Sequence, residues 1–112
     1  MIEIAAHIVG GFLLFAAVGA LCLAGAEDTR VRKLGAMAHG IGLLLILLTG
    51  LAIVARSGIG FPTWVWLKIG IWILMSVSLV VIRRVPGLRV PLFFLLPVLG
   101  GIAAWLAIAR PI

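Results

Sequence analysis

Six side chains within the long apolar segments of this 112-residue chain could carry out chemistry. They are two histidines, one lysine and three hydroxyl residues: His7, His39, Thr49, Lys68, Ser76 and Ser78. A histidine can ligate a metal or transfer a proton, and a lysine can pair with an anion. No Asp or Glu lies in the interior of these segments, which excludes a pump or exporter driven by a buried carboxylate. The residue types favour a ligand bound through histidine.

The elements that must position these side chains are four apolar segments. Hydrophobic residues make up 65% of the chain and charged residues 11%, whereas soluble domains average roughly 45–50% and about 25%. Segments 4–26, 34–55 and 90–109 contain no Lys, Arg, Asp or Glu, and segment 62–82 contains only Lys68. About 20 apolar residues cross the hydrocarbon core of a bilayer. The sequence therefore predicts an all-α integral membrane protein with four transmembrane helices in a single domain over 1–112.

The connections between these segments are short, which favours an antiparallel up-down bundle of the four helices. Most of the cations lie in the first and third connections: Arg30, Arg32, Lys33, Arg83, Arg84 and Arg89. The remaining three lie towards the other side: Arg56, Lys68 and Arg110. Because cytoplasmic loops are enriched in Lys and Arg, this distribution predicts both termini outside the cytoplasm. The net charge of +6 is thereby explained without a nucleic-acid partner.

The two histidines are predicted to lie at different depths. His7 is near the start of helix 1 and His39 near the start of helix 2, so the two residues enter from opposite sides. Each histidine lies about 5–8 Å inside its own boundary, which leaves roughly 15–20 Å between them in a core about 30 Å thick. A single haem cannot span that separation, so bis-histidine ligation is excluded.

His7 and Lys68 share one depth because helices 1 and 3 start on the same side. Gly11, one turn beyond His7, leaves room for a flat ligand, and Trp64 and Trp72 flank Lys68 at a spacing of four residues. We interpret this set as a haem b site near the outer face, in which His7 ligates the metal and Lys68 pairs with a propionate or serves as a second ligand. Alternatively, His7 lies among lipid headgroups and Lys68 extends to the interface.

The other polar positions are given structural roles. His39 and Thr49 lie on the smallest and most polar face of helix 2, which also includes Gly35, Gly42 and Gly50. Small residues let membrane helices approach closely, so this face is predicted to point into the bundle. We expect His39 to donate a hydrogen bond to a carbonyl of a neighbouring helix, with a ligand or proton-relay role as the alternative. Trp64, Trp66 and Trp105 are predicted to form an aromatic belt near the outer interface.

Two segments resemble a pattern in small bacterial membrane proteins: 39–50, HGIGLLLILLTG, and 66–71, WLKIGI. The chain is similar over about residues 5–84 to SirB-type proteins and, more distantly, to HemJ-type protoporphyrinogen oxidases and CopD-type domains. This resemblance implies a bacterial inner membrane. HemJ-type proteins bind haem b through a histidine of helix 1 and a lysine of helix 3, which match His7 and Lys68. The chain lacks the arginine-bearing segment that follows the HemJ-type histidine, so protoporphyrinogen oxidation is not implied.

Three functions are compatible with the sequence. The first is a small redox-associated membrane protein that binds haem b. The second is a non-catalytic accessory subunit of a larger respiratory or photosynthetic complex, in which the small-residue stripes contact other subunits. The third is a small transporter acting as an oligomer. The sequence has no Ser-His-Asp, Cys-His or metal-ligand cluster, so catalysis by the isolated chain is not expected, whereas bound lipid is.

Overall fold

The computed structural model describes residues 2–25 and 27–109, and within them the chain is all-helical. Four long helices follow in order: α1 (Ile2–Leu23), α2 (Thr29–Ser57), α3 (Thr63–Arg84) and α4 (Arg89–Ala109). A short 3₁₀ helix, Pro86–Leu88, precedes α4. All four long helices are of sufficient length and apolar character to cross a membrane, which confirms the prediction of four long apolar helices. Two positions used in the sequence argument, Ala26 and Arg110, lie outside the described residues.

Helix α2 extends beyond the segment predicted from the absence of charge. It begins at Thr29, five residues before the predicted start, because the Asp28 carboxylate accepts a hydrogen bond from the Val31 amide at 3.4 Å and caps the helix. It ends at Ser57, followed by Gly58 with a φ of 70°. Charge-free segments mark the apolar part of a helix and not its ends. At 29 residues and about 1.5 Å per residue, α2 is roughly 43 Å long.

Helices α1 and α2 approach each other most closely where glycine replaces a side chain. A Cβ added at Gly42 would lie 3.0 Å from the carbonyl oxygen of Gly10 and 3.0 Å from the amide nitrogen of Leu14. A Cβ added at Gly10 would lie 3.1 Å from a side-chain carbon of Ile46. These neighbours include backbone atoms, which cannot move aside without separating the helices. The two helices are therefore in backbone contact at this point.

The contact continues along both helices in opposite chain order. Towards the start of α1, a Cβ at Gly50 would lie 3.3 Å from the His7 ring. Towards the end of α1, a Cβ at Gly35 would lie 2.8 Å from the Leu21 side chain. Glycines of α2 thus leave room for α1 at three points: near the two ends of α2, at Gly35 and Gly50, and in its middle, at Gly42. This pattern agrees with the predicted small-residue face of α2, whose buried residues are Gly35, His39 and Gly42.

The remaining helices complete the core around this pair. The main cluster of buried side chains joins α1, α3 and α4: Leu14, Val18, Leu21, Cys22, Met75, Ile82 and Leu96. Helix α4 continues through Pro97 and reaches α1 at Gly100, where an added Cβ would contact the ring of Phe15. Large apolar side chains face outward on every long helix, among them Phe12 at 73% and Ile108 at 84% exposure.

Arg89 joins three helices at one end of the bundle. Its Nη1 donates to the carbonyl oxygen of Ala24 just after α1 at 2.9 Å, and its Nε donates to that of Ile82 near the end of α3 at 3.4 Å. Carbonyls in the last turn of a helix lack intrahelical donors, and a cation also complements the negative end of the helix dipole. The α1–α2 loop and the α3–α4 connection therefore lie at the same end.

The helix contact at Gly42 leads to a matched pair of variants. We expect Gly42→Ala to lower the free energy of unfolding by about 1–3 kcal/mol, because the added methyl group meets backbone atoms. Gly40→Ala is the control, since a Cβ at Gly40 meets nothing within 4 Å. Denaturation of the detergent-solubilised protein, followed by circular dichroism, measures both. Equal stability of the two variants would contradict the close approach.

Candidate functional site

His7 is half-buried between α1 and α2 and is held by a hydrogen bond through one ring nitrogen. Its Nδ1 lies 2.9 Å from the Oγ1 of Thr49. The Thr49 hydroxyl in turn donates to the carbonyl oxygen of Leu45 at 2.6 Å. With its proton engaged there, the hydroxyl oxygen acts as acceptor and the Nδ1–H of His7 as donor. This network assigns the tautomer in which Nε2 carries the lone pair.

The local sequence of α2 explains why the ring fits at this position. A threonine inside a helix commonly bonds back to the carbonyl four residues earlier, which fixes its hydroxyl beside the helix surface. The next residue is Gly50, and a Cβ there would lie 3.3 Å from Cε1 of His7. Thr49 therefore supplies the acceptor, and Gly50 supplies the space for the imidazole.

Lys68 extends the site to a third helix. It lies in the second turn of α3, is half-buried, and is close enough to His7 for their charges to interact. His7 on α1, its acceptor Thr49 on α2 and Lys68 on α3 are thus linked by one hydrogen bond and by the electrostatic interaction of Lys68 with His7. A histidine nitrogen and a cation in one apolar region can together bind a ligand that combines a metal with acidic groups.

The two glycines beyond His7 differ in the space they leave. A Cβ added at Gly11 would meet no atom within 4 Å, whereas the space beside Gly10 is occupied by Ile46 of α2. Gly11 is one turn from His7, and along the same face the core residues Leu14 and Val18 are each 2% exposed. The packed core therefore starts one turn deeper than Gly11. Space remains beside Gly11 but not beside Gly10.

Trp64, Lys68 and Trp72 were predicted to form one stripe on α3, but the two tryptophans contact different helices. The indole N–H of Trp72 donates to the carbonyl oxygen of Leu43 in α2 at 2.9 Å. Trp64 is 8% exposed and packs with Val65 and Leu106, so it belongs to a second core cluster.

This placement differs from the aromatic belt expected from sequence. Trp66 and Trp105 are 59% and 53% exposed, as expected of belt residues, whereas Trp64 faces inward. Two residues along a helix correspond to a turn of about 200°, so Trp64 and Trp66 must point in different directions. The belt prediction treated the three indoles as equivalent and did not take this rotation into account.

His39 lies in a separate part of the bundle. It is 1% exposed, and its Nε2 lies 3.0 Å from the carbonyl oxygen of Met75 in α3, to which it donates. The Ser78 hydroxyl donates to the same oxygen at 2.6 Å. Ten residues separate His39 from Thr49 along α2, or about 15 Å. The two histidines therefore face different surroundings, and His39 joins α2 to α3.

An ion pair covers the end of the α1–α2 contact nearest His7. The Arg56 guanidinium lies 2.6 Å from the Glu3 carboxylate, and the two side chains are 72% and 15% exposed. Glu3 precedes His7 by one helical turn. This pair was not predicted, because both residues lie just outside the charge-free segments 4–26 and 34–55. The signal that could have identified it is the opposite charge of two residues near the adjoining ends of segments 1 and 2.

The donor set at His7 fits a haem better than a bare metal ion. Within residues 2–25 and 27–109, no group of three His, Cys, Asp or Glu side chains could hold a metal. His7 could supply one protein ligand, which suits haem because the porphyrin supplies four further nitrogens. Two depressions of about 210 and 230 Å³ lie elsewhere, along α3 and α4 and beside Glu3 and Arg56. A haem would have to enlarge the space at Gly11.

The hydrogen bond of His7 is tested by removing its acceptor. Thr49→Val keeps the side-chain shape, and we expect it to lower the free energy of unfolding by about 0.5–1.5 kcal/mol, as for other hydrogen bonds between membrane helices. Ser76→Ala is the matched control, because that hydroxyl bonds only to Trp72 of its own helix.

Nitrogen NMR of the His7 ring provides a second measurement for the same variant. The wild type is expected to show a protonated Nδ1, and Thr49→Val a mixture of tautomers. A protonated Nε2 in the wild type would show that the assigned direction of the bond is wrong.

Comparisons with protein-family models, with curated proteins and with solved structures find no match for this chain. The resemblance to SirB-type and HemJ-type proteins therefore remains a prediction from two short segments. The site itself combines an oriented histidine, an ammonium group that interacts with it electrostatically, and space at one glycine.

Proposed function

We propose that the chain is an integral membrane protein that binds haem b through His7 and takes part in membrane redox chemistry. The observation that carries the proposal is the hydrogen bond from Nδ1 of His7 to Thr49. Histidines that ligate metals generally donate their second ring N–H to an oxygen, which fixes the ring and raises the basicity of the ligating nitrogen. In this chain, that arrangement leaves Nε2 for iron.

The proposed membrane location is supported by the character of the helices and of their surface. Four helices have the length and composition of membrane spans, and large apolar side chains cover their outward faces. Soluble monomers seldom expose apolar patches of more than a few hundred Å². An antiparallel arrangement is supported by the opposite order of contacts along α1 and α2 and by Arg89, which joins the ends of α1 and α3.

Each residue of the site has a distinct task in this proposal. Bound haem would supply an iron that accepts and donates one electron. Nε2 of His7 would ligate the iron, and the Thr49 hydroxyl keeps the imidazole from rotating. The Lys68 ammonium group neutralises a propionate, which would otherwise place an unpaired charge in apolar surroundings. Gly11 allows the flat macrocycle to approach α1. Trp64 and Trp72 pack against α4 and α2, so they support the walls and do not stack on the ligand.

An accessory subunit of a larger membrane complex is the second candidate. The observation that favours it is the outward face of α4, where Gly101 and Ala104 are exposed beside Trp105. Small residues on a lipid-facing surface permit the close approach of another transmembrane helix. This candidate expects a colourless protein that co-purifies with larger subunits, whereas the haem proposal expects colour in the isolated chain.

The haem proposal is tested by absorption spectroscopy of the purified protein, expressed with haem supplied. We expect a Soret band and, after dithionite reduction, the α and β bands of a b-type cytochrome. His7→Ala should abolish these bands, and Lys68→Met should weaken haem retention about tenfold or more, because a propionate loses its partner. His39→Gln is the matched control and should keep the full spectrum, since glutamine retains a donor for Met75.

The opposite results have clear consequences. Folded wild type with no Soret band would overturn the haem proposal and leave the accessory-subunit candidate. If His39→Gln lost the haem bands while His7→Ala kept them, the haem would lie in the other half of the bundle. Circular dichroism of each variant distinguishes loss of haem from loss of fold.

The orientation in a bacterial inner membrane is proposed from the distribution of cations. With both termini outside the cytoplasm, alkaline phosphatase fused to either terminus should be active and green fluorescent protein dark. A sandwich fusion in the α1–α2 loop, after Gly25, is the control and should give the reverse pattern. Fluorescence from terminal fusions would place the basic loops outside and refute the orientation.

A further inference from the structure

A groove runs between α3 and α4 on the outside of the bundle. Its walls are almost wholly apolar, and six residues form most of them: Leu74, Val77, Val81, Leu92, Leu95 and Leu99. Val77 and Leu95 are each 50% exposed, so the groove is open to the surroundings of the protein. Its one hydroxyl, that of Ser78, already donates to the Met75 carbonyl. An occupant of this groove would therefore be apolar along its whole length.

The groove is short and narrow. From Leu74 to Val81 it extends over about 10 Å, and its volume is about 210 Å³. A single hydrocarbon chain can occupy it.

A cation lies at the end of the groove. Val77, Val81 and Arg84 follow one another at spacings of four and three residues, so the Arg84 guanidinium continues one wall of the groove. Arg84 is exposed, and in the part of the chain that the structure describes nothing pairs with its guanidinium. Arg83 is turned by about 100° from this row and points away from the groove.

The surroundings of Arg84 are strongly basic. The hydrogen bond from Arg89 to Ala24 brings the α1–α2 loop to the same end as the α3–α4 connection. Six cations therefore share this end: Arg30, Arg32, Lys33, Arg83, Arg84 and Arg89. The two carboxylates of the loop are Glu27 and Asp28, and the latter caps α2. The excess positive charge attracts an anionic headgroup to the end of the groove.

We propose that the α3–α4 groove binds one acyl chain of an anionic phospholipid and that Arg84 recognises its phosphate. A guanidinium presents several donors in a planar fork that matches phosphate oxygens. The proposal rests on the proposed membrane location but not on haem. It assigns the two ends of the bundle different ligands, because Lys68 and His7 lie at the opposite end from Arg84.

Native mass spectrometry of the delipidated full-length protein tests this proposal. The protein is mixed with equal amounts of phosphatidylglycerol and phosphatidylcholine that carry the same acyl chains. We expect one phosphatidylglycerol molecule to be retained in preference to phosphatidylcholine. Arg84→Gln should reduce that preference about fivefold, the effect of one basic residue near a membrane surface, and Arg84→Lys should largely restore it. Arg83→Gln is the matched charge control and should keep the preference.

A second pair of variants tests the groove itself. Val77→Phe fills the groove and should reduce the retention of both lipids severalfold. Val80→Phe adds the same bulk on another face of α3 and should not, because Val80 does not line the groove. Equal losses for Arg83→Gln and Arg84→Gln would show that only the general positive field attracts lipid, and would overturn the site. A lipid-free dimer that Val77→Phe dissociates would overturn it as well, in favour of a second copy.

Failure of this proposal is distinguishable from failure of the proposed function. Absence of the protein from carbonate-washed membranes would refute the membrane location itself. Circular dichroism of Arg84→Gln and Val77→Phe should match the wild type, which shows that both variants fold, and any haem spectrum should be unchanged in them.

Discussion

The backbone contact between α1 and α2 at Gly10 and Gly42 is the constraint on which the rest of the bundle depends. Inside a bilayer, lipid chains are as apolar as leucine, so helices associate through close packing and hydrogen bonds and not through the hydrophobic effect. An added Cβ at Gly42 would meet backbone atoms of α1, so any residue with a side chain at this position would hold the two helices further apart. This distance determines whether His7 reaches Thr49, two turns further along α2.

Hydrogen bonds then join the helices at successive depths. Four side chains each reach an oxygen of another helix or its flanking residue: His7 to Thr49, Trp72 to Leu43, His39 to Met75 and Arg89 to Ala24. A polar group without a partner in apolar surroundings is costly, so each bond holds its pair of helices in one register. His7 differs from the other three because it bonds to a side-chain hydroxyl, interacts electrostatically with Lys68 and lies one turn from the space at Gly11. Those neighbours make it the candidate ligand.

The proposed ligands divide the molecule between its two ends. The end that contains His7 and Lys68 includes the ion pair of Glu3 with Arg56, whereas the other end has an excess of cations around Arg84. An apolar groove leads from the middle of the bundle to that basic end. In this view the protein has a buried site for a cofactor and a peripheral site for a lipid. The two can be separated by mutation because no residue belongs to both.

The sequence by itself determined the all-helical class of fold, since four long apolar segments predict the four long helices that the structure contains. It also predicted that His7 and Lys68 share one depth, because helices 1 and 3 start on the same side and each residue lies a similar number of positions from the start of its helix. Only the tertiary structure decided which neighbours each side chain has: Thr49 for His7, Ile46 for Gly10 and the interior for Trp64. The physical reason is that periodicity and charge fix a residue's face and depth. The rotation and distance between two helices depend on packing at every contact together.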